Sequence, residues 1–143
     1  MRDIIEEARV ILPGVQALFG FQTIAVFNDR FAELPSFAVT CHLVGLGMVI
    51  LAVALVMTPA IYYRVVGPAY VTERMVKRSS RLLRSALWPL AGGLALDMFT
   101  VIYVATEQLQ VSVWGALATL IVLSSLWFAF PWIERERCRN GKR

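Results

Sequence analysis

Apolar residues dominate this chain in four long blocks, and the segments between the blocks and at the two ends of the chain hold all of its charged residues except Asp97. A helix needs about 20 mostly apolar residues to cross a membrane, because it rises about 1.5 Å per residue through a hydrocarbon core about 30 Å thick. Charge-free runs of this kind occupy residues 10–28, 34–63 and 108–133. These three runs predict three transmembrane helices.

The fourth block, residues 85–106, is equally apolar but carries Asp97 near its centre. A lone carboxylate costs about 3 kcal/mol on insertion scales, which is less than the surrounding Leu, Val, Ile and Phe side chains contribute together. We therefore predict that this block also spans the membrane. The predicted fold class is an all-α integral membrane four-helix bundle made of two helical hairpins. It forms a single membrane domain over residues 1–143, with spans at approximately 10–28, 37–63, 86–106 and 111–133.

Two further segments place apolar residues on one helical face and charged residues on the other. Residues 2–12 predict an amphipathic helix at the inner membrane interface that leads into the first span near Pro13. Residues 71–84, between the second and third spans, predict a basic amphipathic helix in the cytoplasmic loop, lying on the membrane surface or on a partner.

The charged residues predict the orientation of the bundle. The chain is 58% hydrophobic and 17% charged, with a net charge of +4, and 13 of its 14 Lys and Arg residues, all but Arg30, fall on one side of the predicted spans. By the positive-inside rule that side is the cytoplasm, so both termini are predicted to be cytoplasmic.

A basic cytoplasmic rim attracts anionic lipid headgroups, so the positive charge requires no nucleic acid partner. The residues predicted to bind anionic lipid or a partner protein are Arg74, Lys77, Arg78, Arg81 and Arg84.

Asp97 is the most informative single residue, because intramembrane carboxylates face a bundle interior, a water-filled cavity or a partner. Counted from the cytoplasmic end of its span it lies on the order of 15 Å deep, and Gln22 lies at a similar depth in the first span. The predicted intramembrane polar cluster comprises Asp97, Gln22, Gln16 and Thr100. A hydrogen bond between Asp97 and Gln22, worth about 0.6–2 kcal/mol, is the structural interpretation. The alternatives are a proton or cation site at Asp97, or contact between Asp97 and a partner subunit.

His42 follows Cys41 near the outer end of the second span, but two adjacent residues of a helix do not face one metal ion, so no metal site is predicted. We expect His42 to lie at the outer interface near Glu33 or Glu107. The chain has no glycine loop for a nucleotide, no nucleophile with its base and no paired carboxylates. It is therefore predicted to have no cofactor and not to be an enzyme.

The N-terminal half carries short motifs that resemble a known family. The motifs are Glu7–Val10, Gly14–Phe21, Phe27, Arg30–Phe31, Leu34 and Thr58–Arg64. They are similar to those of a family of small bacterial membrane proteins known only as a domain of unknown function. The resemblance implies a bacterial cytoplasmic membrane and four spans, and it implies no activity. Asp97 lies outside the matching stretch.

Two functional hypotheses follow. The polar interior is small for a transporter built from one copy, so the leading hypothesis is a non-catalytic multi-pass subunit that packs laterally with copies of itself or with a larger membrane complex. The alternative is a small oligomeric channel or a proton- or cation-coupled transporter that uses Asp97. The direction in which Asp97 points discriminates between them. A carboxylate paired with Gln22 favours a structural role, one facing a cavity or an oligomer axis favours transport, and one facing lipid favours a partner.

Overall fold

The fold is all-helical throughout the part of the chain that the computed structural model describes, residues 2–27, 29–66 and 73–129. The all-α prediction is therefore confirmed for these residues. The helices are α1 (Arg2–Ala25), α2 (Asp29–Ala32), α3 (Ser36–Val66), α4 (Glu73–Thr106) and α5 (Leu109–Ser124), and a short π-helix (Ser125–Ala129) continues α5.

Three helical segments are long and apolar enough to cross a membrane: Ser36–Val65, Met75–Thr106 and Leu109–Ala129. They overlap the predicted second, third and fourth spans. The helix α1 has 24 residues but is not among these segments. Its sequence includes Pro13 and two glutamines, which reduce its apolar character.

Two predicted boundaries between helices are absent. The helix α1 runs through Pro13 without a break, so the predicted interfacial segment and the first predicted span form one helix. The helix α4 likewise contains both the described part of the predicted basic loop helix and the third span. At about 1.5 Å per residue α4 is roughly 50 Å long, which is more than a hydrocarbon core of about 30 Å can cover. A hydrocarbon core therefore cannot cover the whole length of α4.

A close contact between backbones joins α3 to α4 at two glycines. A Cβ atom at Gly93 would lie 2.9 Å from the backbone oxygen of Gly45 and 2.9 Å from Cγ2 of Val49. A Cβ atom at Gly45 would lie 3.2 Å from the backbone oxygen of Gly93 and 3.2 Å from Oδ1 of Asp97. Small residues allow helices to approach this closely in membranes, where van der Waals packing stabilises the association.

The helices α1 and α5 lie on the two flanks of this central pair. The helix α1 packs mainly on α3 and over a smaller surface on α4, whereas α5 packs along α4. Buried Val15 of α1 joins a core with Val49, Ala52 and Leu90, and Trp127 of the π-helix packs against the same core. Where α1 and α5 separate, the face of α4 between them is left open to a cavity.

We expect Gly93→Ala to lower the thermal stability of the purified protein in detergent. The added methyl group meets the backbone of α3, and overpacking of this kind costs about 1–3 kcal/mol. The matched control is Gly47→Ala, where the same methyl group meets no atom within 4 Å. Melting temperatures measured from tryptophan fluorescence compare the two. Equal melting temperatures for the two variants would contradict the close α3–α4 contact.

Candidate functional site

A histidine and an aspartate meet in the α3–α4 interface, toward the end where α3 begins and α4 ends. His42 of α3 is buried, and its Nδ1 lies 3.5 Å from Oδ1 of Asp97 on α4. Its Nε2 lies 3.0 Å from the backbone oxygen of Gln22 on α1. His42 therefore connects three helices through its two ring nitrogens.

The position of His42 corrects two expectations from the sequence. The ring of His42 is not exposed at an interface, because it is buried between α1, α3 and α4. The expected hydrogen bond between the side chains of Asp97 and Gln22 is also absent, since Nε2 and Oε1 of Gln22 and both carboxylate oxygens of Asp97 have no hydrogen-bond partner among the described residues. The imidazole of His42 stands between the two residues instead.

The local sequence explains how the pair forms. Gly45 lies one turn beyond His42 and Gly93 lies one turn before Asp97, so the close approach of the two glycines brings the pair together. His42 is six residues from the start of α3 and Asp97 is nine from the end of α4. At about 1.5 Å per residue they lie roughly 9 and 14 Å from neighbouring helix ends. The signal in the sequence was the similar distance of His42 from the start of its span and of Asp97 from the end of its span, because these two ends lie side by side.

The ring contacts of His42 determine where its protons lie. A carbonyl oxygen can only accept, so Nε2 of His42 carries a hydrogen and donates it to the backbone oxygen of Gln22. A neutral imidazole has one N–H, which leaves Nδ1 with a lone pair and places it 3.5 Å from the nearest carboxylate oxygen of Asp97. Oδ1 of Asp97 has no hydrogen bond from the described residues, and two facing lone pairs repel, so binding of one proton by either group is favourable. With that proton the pair is either an imidazolium with a carboxylate or an imidazole with a carboxylic acid, and in both forms it holds one exchangeable proton.

Asp97 also faces a cavity of about 540 Å³. The cavity is lined mostly by apolar side chains and by five polar ones. The polar residues are Gln22, His42, Asp97, Thr100 and Thr119. The apolar residues are Leu18, Phe21, Phe31, Leu94, Met98, Val101, Val104 and Leu123.

The polar groups of the cavity differ in whether the protein already satisfies them. The hydroxyls of Thr100 and Thr119 donate to backbone oxygens of their own helices, at 3.0 and 2.9 Å. The carboxylate of Asp97 and the side-chain amide of Gln22 are buried without a hydrogen bond from the described residues. Buried polar atoms in native proteins nearly always have a partner, so the two unsatisfied groups favour binding of a polar or charged species in the cavity.

Gln16 and the basic residues of α4 lie away from this cavity. The structure places Gln16 of α1 on an exposed surface, outside the cavity lining. Lys77, Arg78, Arg81 and Arg84 are exposed at the opposite end of α4 from the turn to α5. The side chain of Arg74 lies outside the described part of the chain. Binding of anionic headgroups by these basic residues stays a prediction.

The chain belongs to a family of unknown function, DUF6328, which matches residues 1–131. The match confirms the resemblance seen in the N-terminal half. It extends the relationship over α4 and α5, so that both His42 and Asp97 lie within the family domain. Neither a curated protein nor a solved structure matches the chain.

His42 is the one histidine of the chain, so nitrogen-15 labelling of histidine yields NMR signals from this site alone. We expect Nε2 to carry a hydrogen at every pH at which the protein is folded, because the Gln22 carbonyl accepts from it. We expect the Nδ1 chemical shift to change in Asp97→Asn, which removes the carboxylate beside Nδ1.

Gln22→Leu is the control, because the backbone oxygen that binds Nε2 is retained in it. A neutral ring with its hydrogen on Nδ1 in the wild-type protein would contradict the assigned tautomer.

Proposed function

We propose that this member of the family is a proton- or cation-coupled membrane transporter that uses the Asp97–His42 pair as its exchange site. The observation that carries the proposal is the placement of Asp97, which contacts His42 on one side and faces a cavity on the other. A carboxylate facing a cavity is the arrangement that favours transport over purely structural pairing.

The energetics of burial support a functional role for the pair. Ionisable residues within membrane spans are costly, and they mark ion pathways and proton relays in known membrane proteins. A buried ion pair is weak evidence for stability, since well-packed apolar residues of similar volume are often neutral or stabilising replacements. If His42 and Asp97 served only to pack α3 on α4, apolar side chains would do so at least as well.

The proposed topology has four spans, with α1 as the first. The helix α1 supplies the carbonyl that binds His42 and part of the cavity lining, and both lie at the depth of the α3 and α4 spans. Its 24 residues extend about 36 Å at helical rise, enough to cross a hydrocarbon core. The distribution of Lys and Arg supports cytoplasmic termini, and the family resemblance supports a bacterial cytoplasmic membrane.

We expect Asp97→Asn to reduce protein-dependent proton flux at least tenfold in reconstituted vesicles. The amide can neither hold the shared proton nor pair with a cation. The measurement uses vesicles that contain a pH-sensitive dye and an imposed pH gradient, with sodium, potassium and an organic cation supplied in turn.

Glu33→Gln is the matched control, since it also removes one carboxylate but from an exposed residue outside the cavity that Asp97 lines. Unchanged flux in Asp97→Asn would rule out exchange at this residue.

A second candidate function, lateral packing as a subunit of a homo-oligomer or larger complex, is favoured by the surface of α5. Only 6% of an 18-residue window within Leu109–Ala129 is buried within the protein, and Ser112 is the buried residue of α5. Large apolar side chains such as Trp114 and Ile121 are exposed on it. A span with so few contacts has a broad surface for another copy or another membrane subunit, and association of copies is compatible with transport.

We expect a single cysteine at Ile121 of α5 to form cross-linked dimers in native membranes treated with a short bifunctional thiol reagent. The background carries Cys41→Ser and Cys138→Ser. Leu43→Cys is the control, because Leu43 is exposed on α3 rather than on α5. Gel electrophoresis under denaturing conditions measures the dimer. Monomer alone at both positions, or equal dimer at both, would contradict packing through α5.

A further inference from the structure

We propose that the cation bound in the cavity beside Asp97 is a lipophilic organic cation, and that it enters sideways from the lipid between α1 and α5. This inference rests on the proposed exchange function and specifies its substrate class. Four features of the cavity support it: its size, its lining, its opening and its charge.

The size and the scarcity of oxygen atoms favour an organic ligand over a bare inorganic ion. Pockets for drug-sized ligands measure about 300–1,000 Å³, and the cavity of about 540 Å³ falls within that range. A hard inorganic cation such as Ca²⁺ or Mg²⁺ takes about six or more oxygen ligands. The described lining supplies four side chains with oxygen, those of Gln22, Asp97, Thr100 and Thr119. Apolar cavities stay dry, so water molecules do not readily supply the missing oxygen ligands.

The apolar lining is suited to the body of such a cation. Phe21 and Phe31 present aromatic rings to the cavity, and cations bind the faces of aromatic rings within about 6 Å. The ring of Phe31 already lies 5.3 Å from the ring of His42, so it stands beside the charged end of the site. Met98 adds a flexible thioether that adapts to irregular shapes.

The opening of the cavity faces the hydrocarbon of the membrane. Four lining residues from α1 and α4 are exposed to the outside at the depth of the spans: Leu18 is 39% exposed, Phe21 73%, Met98 43% and Val101 62%. Toward the cytoplasmic end, the core of Val15, Val49 and Leu90 fills the space between the helices. A lipophilic cation that partitions into the bilayer can reach Asp97 by the lateral route, whereas a hydrated ion must first cross hydrocarbon.

The charge of the site sets the exchange ratio. His42 and Asp97 are the two titratable residues in the described lining, and α1, α2 and α5 contribute none to it. The pair is neutral overall while it holds its shared proton. When a monovalent cation binds the carboxylate of Asp97, release of that proton keeps the buried site neutral. One proton therefore leaves for each cation that binds, and His42 remains as a neutral ring that donates through Nε2 to Gln22.

The test measures binding of tetraphenylphosphonium to the purified full-length protein in lipid nanodiscs, with a pH-sensitive dye in weak buffer. We expect about one proton released per cation bound, and affinity that rises tenfold per pH unit while the free site is protonated. In Asp97→Asn we expect at least a tenfold loss of affinity and no proton release. Glu33→Gln is expected to behave as the wild type. Triphenylphosphine oxide, a neutral molecule with three phenyl rings, is expected to release no proton.

A second variant tests the lateral route. Val101→Trp places a large side chain at the opening, and we expect it to weaken tetraphenylphosphonium binding at least tenfold while the NMR signals of His42 keep their protonation pattern. Val111→Trp, on an exposed surface of α5 outside the cavity lining, is the matched control. Equal binding by both variants would overturn access through this opening.

The outcomes separate this inference from the proposed function. Proton release by sodium or potassium but not by tetraphenylphosphonium would overturn the substrate class and leave exchange at Asp97 standing. Binding of the neutral oxide as tightly as of the cation would overturn the charge argument. Absence of proton release with every cation, together with unchanged flux in Asp97→Asn vesicles, would overturn the proposed function itself.

Discussion

The contact between Gly45 and Gly93 is the constraint on which the described part of the molecule depends. Without side chains at these positions, the backbones of α3 and α4 approach until a Cβ on either glycine would meet the other helix within 3.2 Å. That approach places His42 against Asp97 one turn away on each helix. Larger residues at either position would separate the helices, and a separated aspartate would be left in an apolar interior without its imidazole neighbour.

The flanking helices turn this buried pair into a site. The helix α1 fixes the tautomer of His42 through the backbone of Gln22, and α5 packs along α4 far enough from α1 to leave the cavity between them. The carboxylate of Asp97 therefore has a protonatable neighbour on one side and open volume on the other. The proposed exchange depends on this arrangement, because a proton and a cation would compete for the same carboxylate.

Much of the fold could be predicted from the sequence, and less of the site. Runs of apolar residues indicated α3, α4 and α5 as helices long and apolar enough to cross a membrane, because insertion into lipid depends on the summed hydropathy of a segment. The same reasoning separated an amphipathic helix from a span near Pro13 and again near residue 84. In the structure α1 and α4 each run through these points as one helix. Asp97 stood out as a lone carboxylate within an apolar block, and the structure places it beside His42 at the cavity. His42 was misplaced because its proximity to Cys41 and to the helix end suggested an interface residue.

The sequence by itself determined the helical class, the three apolar spans and the excess of basic residues on one side, because each depends on residues close together along the chain. It also determined that a carboxylate would have to be accommodated within a span. The tertiary structure decided which groups surround the carboxylate of Asp97. The contact between Gly45 and Gly93, which are 48 positions apart, sets the rotation of α3 about its axis. With that rotation His42 points inward to Asp97, and the amide of Gln22 faces the cavity. Hydropathy does not encode that rotation, since it depends on how two helix surfaces fit together.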